Sequence, residues 1–574
     1  MRIVLFLFVI FISALSFSSL PLRKNYPQDY FRSPVTHSIK LSGTFGELRP
    51  NHFHAGIDIK SRNGKTGEPI LAIAEGYVSR VKVAAGGYGK VIYVDHPNGY
   101  TSVYAHLDRF SKALENYVKT AQYKAQTYEL ELFPKPGEFS LDKGEELGKL
   151  GLSGRSYGPH LHFEIRDTKT EKPINPLLFG IQVTDNRPPK LHELKIYSLN
   201  DKRVTQATKT LKLIKLKNNR YKIKGDTMSI GAWRAGFGLK TYDHFAGVAN
   251  WNGVYSVAMY QDDQLIYDFE METFAFDETR YINAHLDYEE QVTKKSYFNR
   301  CYALPGNKLS IYPNQLGNGV IDLHQHQTSK ITLKAKDYDG NTASLEFWVK
   351  RKEISTPKSK TYNYILPYQE ENMIETSSLY LFFPKNSLYE PLYLQYQASA
   401  EKSNDVYSSV HHIHDYKMPV HRYFDIGIQP VGLPDSLRGK AFIAYCGKNN
   451  KVKNCGGTWK DGRLMAKVRD FGDYSIMVDK KAPRIIPKRF KKDMRGFSKM
   501  SFAIKENYSV ARNLDEFSYT ATVDGQWILF SYDAKKDLLT HRFDGRIGKG
   551  KHVLRLEVQD HQGNRSVFER PFTR

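Results

Sequence analysis

Cysteine is scarce, with three residues in 574. That is too few for the disulfide framework that staples small secreted domains. Long apolar runs are missing beyond the extreme N-terminus, so no later segment supplies the ~20 apolar residues of a membrane-spanning helix. No G-x-S-x-G elbow, Gly-Lys-Ser/Thr phosphate loop or Rossmann glycine pattern stands out, which leaves serine-hydrolase, P-loop and dinucleotide chemistry without a signal. Acidic residues are in the minority, 61 against 84 Lys and Arg, for a net charge of +23 and a pI of about 9.4. Such an excess favours polyanions: nucleic acid, anionic lipid or acidic cell-wall polymer. The charge is spread without a Lys/Arg block, so a solvated surface accounts for it equally well.

What is present begins with MRIVLFLFVIFISALSFSS: one charge at Arg2, an apolar run from Ile3 to Phe17, and small residues at Ser16 and Ser18. This is secretory-signal architecture over residues 1–18, an uncleaved anchor being the alternative. Export to a periplasm, cell envelope or exterior is expected, and nucleic acid drops out as a partner. A chain of 574 residues and 66.1 kDa is too long for one core, so several folded units should follow.

In GPHLHFEIR, residues 158–166, strand alternation puts His160, His162, Glu164 and Arg166 on one face and Leu161, Phe163 and Ile165 on the other. An isolated H-x-H is weak; other candidate ligands give it meaning. GTFGELRPNHFHAGIDIK, residues 43–60, contributes His54 and Asp58 as H-x-x-x-D, and SVYAHLDRF contributes His106. Imidazole and carboxylate are ordinary zinc ligands, and a hydrolytic site needs three of them plus an open position. Five candidates exceed three, leaving two for proton transfer and charge stabilisation.

H-x-x-x-D, Y-[AG]-H and G-P-H-L-H-F-E, in this order, resemble the M23 family of zinc metallopeptidases, the lysostaphin-like peptidoglycan endopeptidases. The resemblance covers roughly residues 35–180. It implies one zinc ion per chain held by His54, Asp58 and His162, with His106 and His160 acting on water and the tetrahedral intermediate. It also implies a small antiparallel β-sheet domain acting on peptidoglycan peptides. His52 is expected to border the site. The sequence departs from the family by an insert at about 109–143, where Phe110, Leu114, Val118 and Ala121 follow a helical period. This insert could wall the groove or be a surface excursion.

Two other histidine-rich stretches, HHIHDYKMPVH at 411–421 with His412 and His414, and DLHQHQ with His324 and His326, lack partner motifs and read as solvated or partly packed strands. Cys446 and Cys455 bracket a polar turn and could join across a hairpin; Cys301 has no evident mate.

Beyond Pro188-Pro189 the chain reads as strands and turns. D-x-x-G-N recurs at Asp337–Asn341 and Asp560–Asn564, and the openings DNRPPK at 185 and DKKAPR at 479 match. The fold class expected is mainly β. A peptidase-like domain at 19–186 precedes immunoglobulin-like β-sandwiches at 187–352 and 482–574, with a β-rich domain at 353–481 between them. The later domains should position the enzyme, grip the wall or recruit an envelope partner. Two function classes follow: a zinc endopeptidase that cuts peptidoglycan cross-links, or a non-catalytic M23-like module that binds the wall or activates another hydrolase. Retention of all five positions favours the enzyme.

Overall fold

The computed structural model describes residues 25–574 except 246, 325–327, 355–360, 401–404, 448–450, 512–513 and 515; the expected signal segment lies outside them. The chain is mainly β and its sheets are predominantly antiparallel. Among the described residues no helix is long and apolar enough to cross a membrane.

The N-terminal part is built on a nine-stranded sheet. We number its principal strands β1 (Leu41–Gly43), β2 (Ile57–Lys60), β3 (Gly76–Val83), β4 (Lys90–Asp95), β5 (Tyr100–Ala105), β6 (Leu130–Leu132) and β7 (His160–Asp167). Their order across the sheet is β1-β2-β7-β5-β4-β3-β6. Alternation on β7 works as the sequence implies: Leu161, Phe163 and Ile165 are fully buried in a core that also holds Ile57, Ile59 and Tyr104. The opposite face is largely buried too, with His162, Glu164 and Arg166 at 5% exposure or less. Polar side chains inside a protein need partners, and this face supplies them to one another.

The insert forms α1 (Lys112–Ala125), which buries Leu114, Val118 and Gln122. Phe110 belongs to a short strand at Arg109–Phe110, and Gln122 replaces Ala121 on the buried face because its amide donates to the Tyr128 carbonyl at 2.6 Å.

Among the described residues beyond 181 lie a small cluster around Tyr197, Tyr302 and Tyr389 and three larger cores, centred on residues 191–349, 366–478 and 494–572. The first is organised by β8 (Lys190–Leu199), β9 (Arg234–Tyr242), β10 (Ser329–Lys336) and β11 (Thr342–Arg351). The last uses β12 (Arg484–Arg489), β13 (Lys499–Lys505), β14 (Lys551–Asp560) and β15 (Arg565–Thr573), distributed over two four-stranded sheets. Each D-x-x-G-N forms the turn of a hairpin, β10–β11 and β14–β15. The Asp carboxylate there accepts from the Asn backbone N–H and side-chain amide, at 2.9 and 2.8 Å for Asp337 and 2.7 and 2.8 Å for Asp560.

All three cysteines are free thiols. Cys446 stands opposite Val452, whereas the Cys455 amide bonds to the Ile443 carbonyl. Three residues along a strand are about 10 Å, beyond the reach of a disulfide.

The cores are interlocked. A hairpin of Leu48–Arg49 and His52–Phe53 leaves the first sheet and inserts Phe53 into the core of 191–349, against Phe274 and His285. At the other end, α1 receives the C-terminal sheets: Lys119 pairs with Asp544, and Tyr123 packs edge-on to Trp527 and beneath Arg546. Lys535 reaches further and donates to the carbonyls of Leu152 and Ser156 at 2.7 and 2.9 Å. The insert is thus a docking surface for the end of the chain. Phe53→Ala is expected to cost about 3–5 kcal/mol through the cavity it leaves, read as an earlier unfolding transition by calorimetry. An unchanged transition contradicts the shared core.

Candidate metal centre

Register assembles the site. On β7, His162 stands opposite Asp58 of β2 on one side and Ala105 of β5 on the other. His54 enters from the loop before β2. Its Nε2 lies 2.9 Å from His162 Nδ1 and 3.0 Å from Asp58 Oδ1, and His162 Nδ1 is 3.0 Å from the same oxygen. Three donor atoms from three places in the sequence therefore converge on one point, and all three residues are at 5% exposure or less.

Glycine makes this approach possible. A Cβ on Gly56 would stand 2.3 Å from the Phe163 carbonyl oxygen of the neighbouring strand. One on Gly43 would meet Arg49 and Asp58 at 2.6 and 2.7 Å. Both positions need a residue without a side chain for the backbones and the Arg49–Asp58 pair to come this close.

The outer partners fix tautomers. His54 Nδ1 lies 2.7 Å from the Thr44 carbonyl, which only accepts, so Nδ1 carries the proton and Nε2 offers its lone pair inward. His162 Nε2 donates to Glu164 Oε1 at 2.7 Å, which leaves Nδ1 as the nitrogen that faces the centre and gives up its proton when a metal binds. Glu164 is fully buried, takes a second hydrogen bond from Tyr88 and pairs with Arg166 at 2.6 Å. Asp58 keeps Oδ1 inward while Oδ2 pairs with Arg49 at 2.6 Å. Hydrogen-bonded outer partners of this kind orient metal-ligating imidazoles and carboxylates. The donor set, two imidazole nitrogens and one carboxylate oxygen, fits zinc with a coordination position to spare.

Two more histidines flank this group. His106 follows β5 in the left-handed region, at φ 61°, and its ring lies 4.9 Å from that of His160 and 5.9 Å from that of His162. Its Nδ1 donates to the Ser153 carbonyl at 2.9 Å, leaving Nε2 as an acceptor. His160 Nδ1 donates to the Gly158 carbonyl at 2.8 Å, and its Nε2 is 3.5 Å from Asp58 Oδ1. All five residues singled out from sequence are therefore in one place. Glu164 and Arg166 were visible as neighbours on the β7 face but carried no assigned role. Arg49, Thr44 and Tyr88 were missed, because nothing local in the sequence says which distant side chain will meet a ligand.

The other histidines are absorbed locally. His411 is buried beside the Tyr396 hydroxyl, His412 pairs with Asp473, and His421 stacks on Tyr281. His324 stacks on Trp233 and pairs with Asp322; His326 lies outside the described residues. His52 is exposed on the hairpin, with Nδ1 against the Pro50 carbonyl.

Burial lowers His54 to about 4 and His106 to about 3, keeping both neutral. Burial also disfavours the charged form of His162, but its hydrogen bonds to Asp58 and Glu164 win and raise it to about 9. Glu164 falls to about 2: burial opposes ionisation, and Arg166 and His162 overcome it.

Residues 52–129 match the model of peptidase family M23, and residues 363–479 match that of the Zu5-like domain. The first match takes in His54, Asp58 and His106 and ends near α1, short of His160 and His162. Among curated proteins, the DD-carboxypeptidase/endopeptidase Mpg of Neisseria meningitidis serogroup B is 31% identical over 155 residues, covering 27% of this chain and 26% of that protein. The murein hydrolase activator NlpD of Escherichia coli is 31% identical over 140 residues, 24% of this chain and 29% of that protein. Lipoprotein NlpD of Yersinia enterocolitica is 31% identical over 116 residues, 20% of this chain and 93% of that protein. The chain belongs to peptidase family M23. It spans about a quarter of the length of the curated Mpg proteins it matches.

Three outcomes are expected. In metal-free protein, histidine ring NMR should show His162 still protonated at pH 8 and His54 neutral down to about pH 4. Between about pH 4 and 6.5 the unfolded chain binds protons that folded His54 and His106 refuse, so these two groups make stability fall with acidification. Between about pH 6.5 and 9 folded His162 holds a proton that the unfolded chain has lost, so its contribution falls as pH rises. Glu164→Gln should weaken metal affinity about 10–100-fold in competition with a chromophoric chelator; unaltered affinity would mean that Glu164 does not orient His162.

Proposed function

We propose that the protein is a zinc-dependent endopeptidase that hydrolyses peptide cross-links of peptidoglycan after export to the periplasm or cell envelope. The observation that carries this reading is the convergence of His54 Nε2, Asp58 Oδ1 and His162 Nδ1, with two further imidazoles beside them. Membership of the M23 family and the name of its Mpg relative support the reaction class. Bound there, zinc supplies Lewis-acid polarisation of the scissile carbonyl and lowers the pKa of the attacking water. His54, Asp58 and His162 would hold it, and Thr44, Arg49 and Glu164 would keep those ligands aimed.

His106 and His160 are the candidate catalytic groups. Each has Nδ1–H tied to a backbone carbonyl and Nε2 available. Either can take a proton from the water at Nε2 and then present that N–H to the developing oxygen charge or to the leaving amine. The depressed basicity of His106 keeps it in the acceptor state at neutral pH. The cores beyond residue 187, read as two immunoglobulin-like units around a Zu5-like one, would hold the catalytic face against the wall polymer or an envelope partner.

A second reading, activation of another hydrolase without catalysis, is raised by the NlpD relatives, one of them named a murein hydrolase activator. Digestion of purified sacculi separates the two. Wild type should release peptides whose masses name the bond cut, a chelator should stop release and zinc restore it, and His162→Ala should release nothing. His106→Ala should keep its zinc while losing about 10²–10⁴ in kcat, the usual share of a general acid–base group. Zinc-replete wild type that binds sacculi and releases nothing would establish the non-catalytic reading.

A further inference from the structure

Two more groups of ligand-type side chains lie outside the metal centre, and they occupy matching places in two different parts of the chain. Asp185, Asp243 and Asp337 bring carboxylate oxygens within 4.8 Å of one another, and so do Asp479, Glu506 and Asp560. Asp185 precedes β8 by five residues and Asp479 precedes β12 by the same step. Asp243 directly follows β9 and Glu506 directly follows β13, the strands that pair with β8 and β12. Asp337 and Asp560 are the aspartates of the two D-x-x-G-N turns. One three-point arrangement is therefore built twice.

Clustered acids alone are no site, but here buried oxygens are orphaned. Asp243 is 2% exposed, and its Oδ1 has no hydrogen-bond partner among the described residues. Asp185 Oδ2 and Glu506 Oε2 are buried and unpartnered in the same way. Asn252 is fully buried, with neither atom of its amide partnered among the described residues. Asn252 and Asp243 exchange both backbone hydrogen bonds at 3.0 Å, a directly opposed antiparallel pair whose side chains leave the sheet on one face. The amide of Asn252 thus points to the side where Asp243 meets Asp185 and Asp337. An unpaired buried acceptor is costly, and orphaned oxygens on carboxylates gathered in one place call for a positive partner.

The donor set names the partner. Every donor is oxygen, with no imidazole or thiolate, which selects a hard cation over zinc. Carboxylates entering directly from three separate backbone segments suit calcium, which takes 6–8 oxygens at about 2.3–2.6 Å in irregular geometry; magnesium demands a tighter octahedron and keeps its waters.

We propose that Asp185, Asp243 and Asp337, with Asn252, bind one calcium ion. The ion would clasp the chain leaving the peptidase core at Ile181 to β9 and the β10–β11 hairpin. It lies where one folded unit hands over to the next, so calcium would stiffen that junction. Asp479, Glu506 and Asp560 repeat the arrangement, but among the described residues its one orphaned oxygen belongs to the part-buried Glu506, so no second ion is assigned there.

Equilibrium dialysis of the zinc-loaded mature chain against ⁴⁵Ca²⁺ tests this. One calcium ion per chain is expected at millimolar calcium and none for Asp243→Asn. Wild type should also gain thermal stability on adding calcium, and the variant should not. Because wild-type stoichiometry needs no variant, misfolding of a mutant cannot shelter the proposal. No calcium taken up by wild type, an ion retained by Asp243→Asn, or equal occupancy by magnesium at equal concentration would each overturn it.

Discussion

The structure depends on one constraint: three donor atoms from β7, β2 and the loop before β2 are held within about a hydrogen-bond length of each other inside the protein, with their lone pairs facing inward. Such convergence is unfavourable unless every other polar atom of the three residues is satisfied elsewhere. Thr44, Glu164 and Arg49 do this for His54, His162 and Asp58, and Arg166 and Tyr88 do it in turn for Glu164. The polar face of β7 is therefore a buried network with its charges nearly balanced, backed on the other side of the strand by Leu161, Phe163 and Ile165.

The architecture around it serves rigidity. The segment carrying His54 is anchored one residue earlier, where Phe53 enters the core of 191–349, so the first ligand is braced by a second folded unit. The Gly-rich loop that supplies the Ser153 and Gly158 carbonyls to His106 and His160 is held by Lys535 from the far end of the chain. C-terminal sheets resting on α1 and on that loop link the last unit physically to the candidate catalytic histidines. The later folded units thus bear on the geometry of the site.

Much of this was legible in the sequence, because it depends on short-range periodicity. Alternation in HLHFEIR put the correct side chains on each face of β7, and the helical period of the insert located α1. The dipeptides Asp262-Asp263 and Asp524-Gly525 form the turns of two hairpins, Ser256–Gln261 with Gln264–Glu270 and Phe517–Val523 with Gln526–Trp527, with positive φ at all four residues. What escaped depends on register and on distant contacts. Arg49 and Tyr88 acquire meaning only when β2, β7 and the loop before β4 are brought together. Gln122 displaces Ala121 from the buried face because a hydrogen bond to a loop carbonyl outweighs its polarity. Cys446 and Cys455 flank a hairpin as expected, yet the pairing of Cys455 with Ile443 sets the two thiols apart. The acidic triads were half visible: the D-x-x-G-N repeat was plain, but its meeting with Asp185 and Asp243 was not.

The central claim is that His54, Asp58 and His162 form one metal-binding unit. Elemental analysis of the purified, folded protein tests it most directly when wild type is measured beside Asp58→Asn, which preserves shape and removes the charge. The account predicts one zinc per wild-type chain and little in the variant. Wild type without stoichiometric transition metal, or a variant that retains it in full, would contradict the account.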